Sequence, residues 1–156
     1  MQTSSLPTPA AAIARRAAAR RWPLVLAATA LAVGCATRIH YDPTSLKHAT
    51  DLKTESLTLI SKAGDVPTAH TAEIDTLRTK VTAAYEYERT KGQANAITVK
   101  QWEILQDPNG NLIGGFLTKW QTEGVGQSPA FIQGTSKNVG DAFDVIMAQE
   151  NSKAKD

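Results

Sequence analysis

Three histidines, two sets of closely spaced carboxylates and one cysteine are the side chains through which this chain could carry out chemistry. A helical metal site needs ligands three or four residues apart, and none of His40, His48 and His70 has a second histidine at that spacing. We therefore predict no metal site and expect these histidines to be exposed or hydrogen-bonded.

Paired carboxylates could hydrolyse a glycosidic bond. Glu86 and Glu88 would face different sides of one helix, whereas Asp141 and Asp144 read as a capping acid and a solvated acid. The chain has no Gly-x-Ser-x-Gly motif and no glycine-rich phosphate loop. We predict that the protein is not an enzyme, with a carboxylate hydrolase as the less favoured alternative.

The only cysteine, Cys35, follows an uncharged run from Pro23 to Gly34. The 12 residues of this run are too few to span a hydrocarbon core, which needs about 20 helical residues. A basic start, a short apolar run and a small residue before a cut are typical of a secretory signal. An unpaired cysteine in an exported protein needs an explanation of its own. The basic start of the predicted secretory signal consists of Arg15, Arg16, Arg20 and Arg21.

The segment Leu31-Ala32-Val33-Gly34-Cys35 resembles the lipobox of bacterial lipoproteins. In that family the cysteine is diacylated and becomes the mature N-terminus. Ala32 occupies the place where the family prefers leucine, and Gly34 supplies the small residue before the cut. The resemblance covers the first 35 residues only. It implies that residues 1–34 are a signal peptide and that Cys35 carries diacylglyceryl and N-acyl (palmitate-type) groups.

This resemblance also implies a location. Two acyl chains anchor a protein stably where one chain is marginal. In Gram-negative lipoproteins the residues after the cysteine direct sorting, and Asp there favours the inner membrane. Ala36 follows here, which implies the outer membrane, facing the periplasm. A host without an outer membrane would hold the protein in its inner or plasma membrane.

Removing residues 1–34 leaves 122 of the 156 residues, which is one domain of ordinary size. The formal charge then changes from +2 to −2, because 13 of the 17 basic residues remain against 15 acidic ones. Without a basic stripe, we expect no nucleic-acid partner. We predict a lipidated tether at 35–43, a single globular domain at 44–150, a polar tail at 151–156 and no cofactor.

Two amphipathic helices should open the domain. Apolar residues between 44 and 63 fit a helical face better than strict alternation, and Gly64 follows as a stop. A second stripe begins at Ile74 and recurs at i+3, i+7, i+10 and i+11, which predicts a helix that ends near Gly92. Residues 65–68 form a short link, so the pair should be an antiparallel helical hairpin. The second stripe consists of Ile74, Leu77, Val81, Ala84 and Tyr85.

Residues 96–121 fit two structures. Their first half is rich in strand-type side chains, and Gly114 and Gly115 would each cost about 1 kcal/mol relative to alanine in a helix interior. Between the halves, Asp107-Pro108-Asn109-Gly110 has the residues that a type I turn prefers. We predict a β-hairpin with Gly110 at positive φ, and helix–turn–helix is the alternative.

The hairpin register would place Trp102 opposite Phe116 and Thr98 opposite Trp120. Both faces would be apolar, and a two-stranded hairpin alone is marginal in water. One face should pack on the helices while the other stays partly exposed. We therefore predict that Trp102, Phe116 and Trp120 form a partner-binding surface.

The rest of the chain completes an α+β fold class. Residues 128–133 read as a short third strand, and Asn138 reads as the cap of a last helix whose apolar stripe starts at Val139. The predicted order is helical hairpin, β-hairpin, third strand and C-terminal helix. The alternative is an all-α four-helix bundle.

The predicted function is that of a lipid-anchored cell-envelope lipoprotein acting as an interaction or structural module. Its partners would be the membrane, through Cys35, and an envelope protein or a second copy of the chain. The alternative is a small-ligand-binding lipoprotein, with a cleft between the helices and the hairpin. Tyr85 and Tyr87 could line such a cleft, although we expect core packing for Tyr85 and exposure for Tyr87.

Overall fold

The computed structural model describes residues 40–154, and no strand occurs among them. The predicted α+β class is therefore wrong, and the fold is all-helical, with five α-helices where the alternative had four. The predicted signal peptide and the predicted acylated residue, Cys35, lie outside the described residues. The helices are α1 (Pro43–Ser61), α2 (Thr71–Arg89), α3 (Ala96–Gln106), α4 (Ile113–Glu123) and α5 (Pro129–Ser152), with 3₁₀ turns at Pro67–His70 and Gln93–Asn95.

The predicted helical hairpin of α1 and α2 is confirmed. The Thr44 N–H donates to Asp42 Oδ1 at 2.9 Å, and Pro43 occupies the first position of α1, so both common helix-start signals are present. The predicted stripe on α2 is buried from Ile74 to Ala84. Gly92 lies shortly after the end of α2 and has φ 77°. This is a left-handed backbone conformation that glycine adopts without strain.

Helix α3 contains the strand-type residues that favoured a β-hairpin. Its buried side chains are Thr98, Trp102 and Leu105, at i, i+4 and i+7, which is helical spacing. Ile97 and Ile104 lie outside this face and are 64% and 50% exposed. The β-hairpin prediction is wrong because strand propensity is a weak, context-dependent preference that the burial of a helical face overrides.

Gly114 and Gly115 lie in the first turn of α4, although their low helix propensity favoured a strand at this position. A Cβ on Gly114 would stand 2.1 Å from the carbonyl oxygen of Gln106, and one on Gly115 would stand 1.8 Å from that of Gly110. Both glycines are buried. Their missing side chains let the α3–α4 connection lie directly against α4, and this packing offsets their low helix propensity.

The turn between α3 and α4 is where it was predicted. The Gly110 N–H donates to the Asp107 carbonyl oxygen at 3.0 Å, and the Asn109 N–H donates to Asp107 Oδ1 at 2.9 Å. Gly110 is not among the positive-φ glycines of residues 40–154, which are Gly92 and Gly124. The predicted left-handed Gly110 is wrong, since the turn joins two helices and no hairpin bulge is formed.

Helix α5 starts earlier and ends later than predicted. Pro129 occupies its first position, and the Phe131 N–H donates to Ser128 Oγ at 3.3 Å. The predicted third strand at 128–133 is therefore wrong, because α5 begins within it. Asn138, which was predicted to cap the last helix, lies inside α5. At the other end α5 continues to Ser152, two residues into the predicted polar tail.

All five helices contribute to one apolar core. Helix α1 packs against α2 and α5, and α3 contacts α2, α4 and α5. The Trp102 ring meets the Phe143 ring edge to face, with centroids 5.9 Å apart. Trp120 Nε1 donates to the Asp65 carbonyl oxygen at 3.1 Å and so ties α4 to the α1–α2 link. Within residues 40–154, no helix has the length and apolar character needed to cross a membrane.

Candidate ligand-binding groove

An open groove of about 820 Å³ lies between α4 and the N-terminal half of α5, next to the α3–α4 turn. This volume falls within the range of about 300–1,000 Å³ that is usual for small-ligand sites. Three segments line it: Pro108, Asn109, Gly110 and Asn111 from the turn; Gly115, Phe116, Thr118, Lys119, Thr122 and Glu123 from α4; and Ala130, Phe131, Gly134, Thr135 and Asn138 from α5.

Two phenylalanines form the apolar base of the groove. The Phe116 and Phe131 rings stack with centroids 6.2 Å apart and planes 27° apart. Phe116 is buried and also contacts Trp120, at 5.8 Å between centroids, whereas Phe131 is half-buried. Because Phe116 is packed into the core, the base is held in a fixed position.

Among residues 40–154, the charged side chains that line the groove are Lys119 and Glu123, and they neutralise one another. Lys119 Nζ lies 3.0 Å from Glu123 Oε1 and 5.1 Å from the Phe131 ring centroid. Hydrogen bonds from Gln127 and Lys119 lower the pKa of Glu123, so the carboxylate is ionised at neutral pH. The lining therefore has no net charge.

Three asparagines supply free side-chain amides to the groove. Asn109, Asn111 and Asn138 are exposed, and their side-chain amides make no hydrogen bond within residues 40–154. Each amide offers two donors and one acceptor oxygen. The groove can therefore both donate hydrogen bonds to an uncharged ligand and accept them from it.

Gly134 faces this groove from the interior of α5. A Cβ at this position would meet nothing within 4 Å, yet glycine costs about 0.5–1 kcal/mol relative to alanine inside a helix. Packing within the chain thus gives no reason for a glycine here. Its absent side chain keeps the groove open one helical turn before Asn138.

A second polar cluster, which we call the ionic network, lies at the other end of α5. At its centre, Asn95 Nδ2 donates to Glu88 Oε2 at 2.7 Å, and Asn95 Oδ1 accepts from Lys153 Nζ at 2.7 Å. Lys153 also donates to Glu150 Oε1 and, at 3.0 Å, to Thr98 Oγ1. All five residues are buried. The burial of Lys153 was not predicted, because this residue falls in the segment expected to be a polar tail.

Asp42 connects the start of α1 to this network. Tyr87 Oη donates to Asp42 Oδ2 at 2.6 Å, and Lys91 Nζ lies 2.9 Å from the same oxygen. Partial burial by itself raises the pKa of Asp42, but the hydrogen bonds from Tyr87, Lys91 and the Thr44 N–H outweigh it and hold the pKa far below its usual range. These contacts account for the network as a structural element of the fold.

His70 has no free ring nitrogen. Its Nδ1 lies 3.0 Å from Glu73 Oε1, and its Nε2 lies 3.0 Å from Asp65 Oδ2. Hydrogen bonds with Glu73 and Asp65 raise the pKa of His70. With both nitrogens engaged, the ring cannot take a proton from a substrate. Among residues 40–154, no group of three or more His, Cys, Asp or Glu side chains could hold a metal ion.

The carboxylates singled out in the sequence each bind a cation. Glu86 binds Arg89, at 2.9 Å, and Glu88 binds Lys91, at 3.1 Å. The remaining two form ion pairs on the surface of α5, between Asp141 and Lys137 and between Asp144 and Lys53. None of these four carboxylates lines the groove.

The three predicted partner-binding side chains lie in the core. Trp102, Phe116 and Trp120 are 1%, 3% and 0% exposed, so the expectation that they share a partly exposed face is wrong. The predicted face belonged to a β-hairpin that does not form, and the helices direct all three side chains into the core. Phe116 alone reaches a candidate site, as the base of the groove. Tyr85 and Tyr87 are half-buried, and neither lines the groove.

Sequence reasoning missed the groove because its polar residues had ordinary local explanations. Asn109 and Asn111 read as turn residues, and Asn138 read as a helix cap. Gly134, which neither a positive φ nor close packing requires, stands out only once α5 is known to begin at Pro129. No family model matches this chain, and comparisons with curated proteins and with solved structures gave no significant match.

Proposed function

We propose that this protein is a lipid-anchored envelope lipoprotein that captures a small ligand in the groove between α4 and α5. The observation that carries the proposal is a groove whose three amide side chains have no partner within residues 40–154. Binding sites commonly combine an apolar base with a few convergent polar groups, and Phe116, Phe131 and these amides form that combination. No catalytic step is proposed.

The ligand site can be tested without knowing the ligand. A library of small uncharged fragments would be screened against the full-length protein by NMR, with binding mapped through backbone amide shifts. We expect the hits to perturb Asn111, Gly134 and Asn138 together. Hits that instead scatter over the surface, or that cluster elsewhere, would remove the basis for the groove as the site.

The anchor rests on the lipobox resemblance, with Cys35 as the acylated residue and the outer membrane as the location. Cys35→Ser should abolish acylation and release the protein from membranes after fractionation. Ala36→Asp serves as the matched sorting variant, and by the same resemblance it should move the protein to the inner membrane. A Cys35→Ser protein that stays with membranes after a high-salt wash would contradict lipid anchoring.

A second candidate function is an interaction module, in which an envelope protein or a second copy binds α3. Ile97 and Ile104 favour it, since they lie seven residues apart on one side of the helix and are 64% and 50% exposed. Replacing both with Ser should abolish cross-linking to the partner without lowering stability. Equal cross-linking by the variant would speak against this surface.

A further inference from the structure

We propose that the groove binds an uncharged oligosaccharide that carries acetamido groups. This inference rests on the proposed function, because it assigns a ligand class to the same groove. Four features of the groove bear on it: the balance of charge, the amide side chains, the aromatic base and the backbone around it.

The charge of the lining selects against ionic ligands. Binding a phosphate or carboxylate group would need a cation without a partner, but Lys119 already binds Glu123 at 3.0 Å. Binding a cation would need an unpaired carboxylate, and Glu123 is engaged by both Lys119 and Gln127. An uncharged ligand leaves these contacts intact.

The amide side chains select for a ligand rich in both donors and acceptors. Asn109 and Asn111 project from the turn side of the groove, and Asn138 lies on the α5 side. Sugar hydroxyls both donate and accept hydrogen bonds, as an acetamido group also does through its N–H and carbonyl oxygen. These groups therefore match amide side chains on both walls.

The base of the groove selects for a ligand with an apolar face. The half-buried Phe131 ring is supported by Phe116 at 6.2 Å between centroids. The face of an aromatic ring carries partial negative charge, and the C–H groups of a sugar ring and an acetamido methyl are weakly positive. Such a ligand can pack its C–H groups against the exposed part of Phe131, over whose ring Lys119 Nζ lies 5.1 Å from the centroid, and place its polar groups on the asparagines.

The backbone around the groove argues against a peptide. An extended peptide gains affinity by adding a strand to a sheet edge, and residues 40–154 contain no strand. An amphipathic helix needs a long apolar groove, whereas asparagine and threonine side chains interrupt the apolar lining of this one. A saccharide needs neither feature, because its own hydroxyls make the contacts.

The test titrates tetra-N-acetylchitotetraose into the full-length protein, followed by NMR. An open site of this kind should give a Kd on the order of 0.1–1 mM, with saturable shifts at Gly134 and Asn138. Asn138→Ala should weaken binding by about fivefold or more, since one bound amide is lost. The matched control Asn151→Ala removes an exposed asparagine from the other end of α5 and should leave the Kd unchanged.

Two comparison ligands decide the class. Maltotetraose has hydroxyls without acetamido groups and should bind at least about fivefold more weakly; equal binding would overturn the acetamido assignment. Tetra-alanine should not bind, and binding at the same residues would overturn the saccharide assignment in favour of peptide. If no saccharide binds at about 10 mM while fragments still map to the groove, the saccharide proposal fails and ligand capture stands. If neither binds, both fail.

Discussion

The two ends of α5 use polar side chains in opposite ways. At the C-terminal end, Glu150 and Lys153 are buried and bonded to Asn95 and Thr98. At the N-terminal end, Asn138 is exposed and has no hydrogen-bond partner within residues 40–154. Twelve positions separate Asn138 from Glu150, which is about 18 Å along a helix.

This difference separates a stabilising site from a candidate binding site. A polar group removed from water must be paired or it destabilises the fold, so folding accounts for the bonded groups of the ionic network, in which Glu150 Oε2 alone is buried without a hydrogen bond within residues 40–154. Exposed amides satisfy themselves with water, so folding does not require three of them to meet around one groove. We therefore place the candidate binding site in the N-terminal half of α5, because the stability of the fold does not explain the exposed amides there.

The largest expected effect is at the ionic network. Lys153→Met would leave Glu150 as an uncompensated buried carboxylate and should lower the free energy of unfolding by about 3–5 kcal/mol. Urea unfolding of the full-length protein measures this. The matched control is Lys137→Met, which breaks an exposed ion pair on the same helix and should leave stability nearly unchanged. A loss below about 1 kcal/mol for Lys153→Met would show that the network is not a stabilising site.

The second prediction concerns the turn beside the groove. Gly115→Ala should cost about 2–3 kcal/mol, because its Cβ would overlap the Gly110 carbonyl oxygen and displace the turn. Thermal and urea unfolding would report the loss, and the amide shifts of Asn109 and Asn111 would report the displacement. An unchanged stability would mean that the turn can move freely and that the groove has no fixed wall on that side.

The third prediction is the acid sensitivity of Asp42. Its pKa is lowered in the folded state, so its contribution is present above the ordinary value of 3.8 and is lost as pH falls below it. Asp42→Asn should lower stability by about 1 kcal/mol at pH 7, through the lost ion pair with Lys91 and a weaker hydrogen bond from Tyr87, since asparagine caps the helix about as well as aspartate. The difference between variant and parent in thermal melts should shrink as pH falls from about 5 to 2. A constant difference would contradict this assignment.

The smallest effect should be a gain in stability. Gly134→Ala should raise the free energy of unfolding by about 0.5–1 kcal/mol, since a methyl group fits and restricts the unfolded chain. Gly140→Ala is the control on the opposite side of α5, where the Cβ would make ordinary contacts with Lys53 and Leu57 at 3.9 and 4.0 Å. Both should stabilise, but only Gly134→Ala should reduce fragment binding. Equal fragment binding by both variants would mean that Gly134 does not shape the site.

The sequence alone was enough to predict the helical hairpin of α1 and α2, the turn at Asp107–Gly110 and a C-terminal helix. Each depends on neighbours within a few residues: Asp42 and Pro43 begin a helix, an apolar residue every three or four positions defines its buried face, and Asp-Pro-Asn-Gly closes a turn. Such signals act locally, so they can be recognised without knowing what the rest of the chain does.

Only the tertiary structure decided between strand and helix for residues 96–121. The two glycines of α4 cost about 1 kcal/mol each by propensity, but their contacts with the carbonyls of Gln106 and Gly110 come from the chain folding back on itself. The groove arises in the same way, because Asn111 and Asn138 become neighbours only when the α3–α4 turn comes to lie beside α5. Contacts between residues far apart in sequence leave no local pattern, and both the helices and the candidate site depend on them.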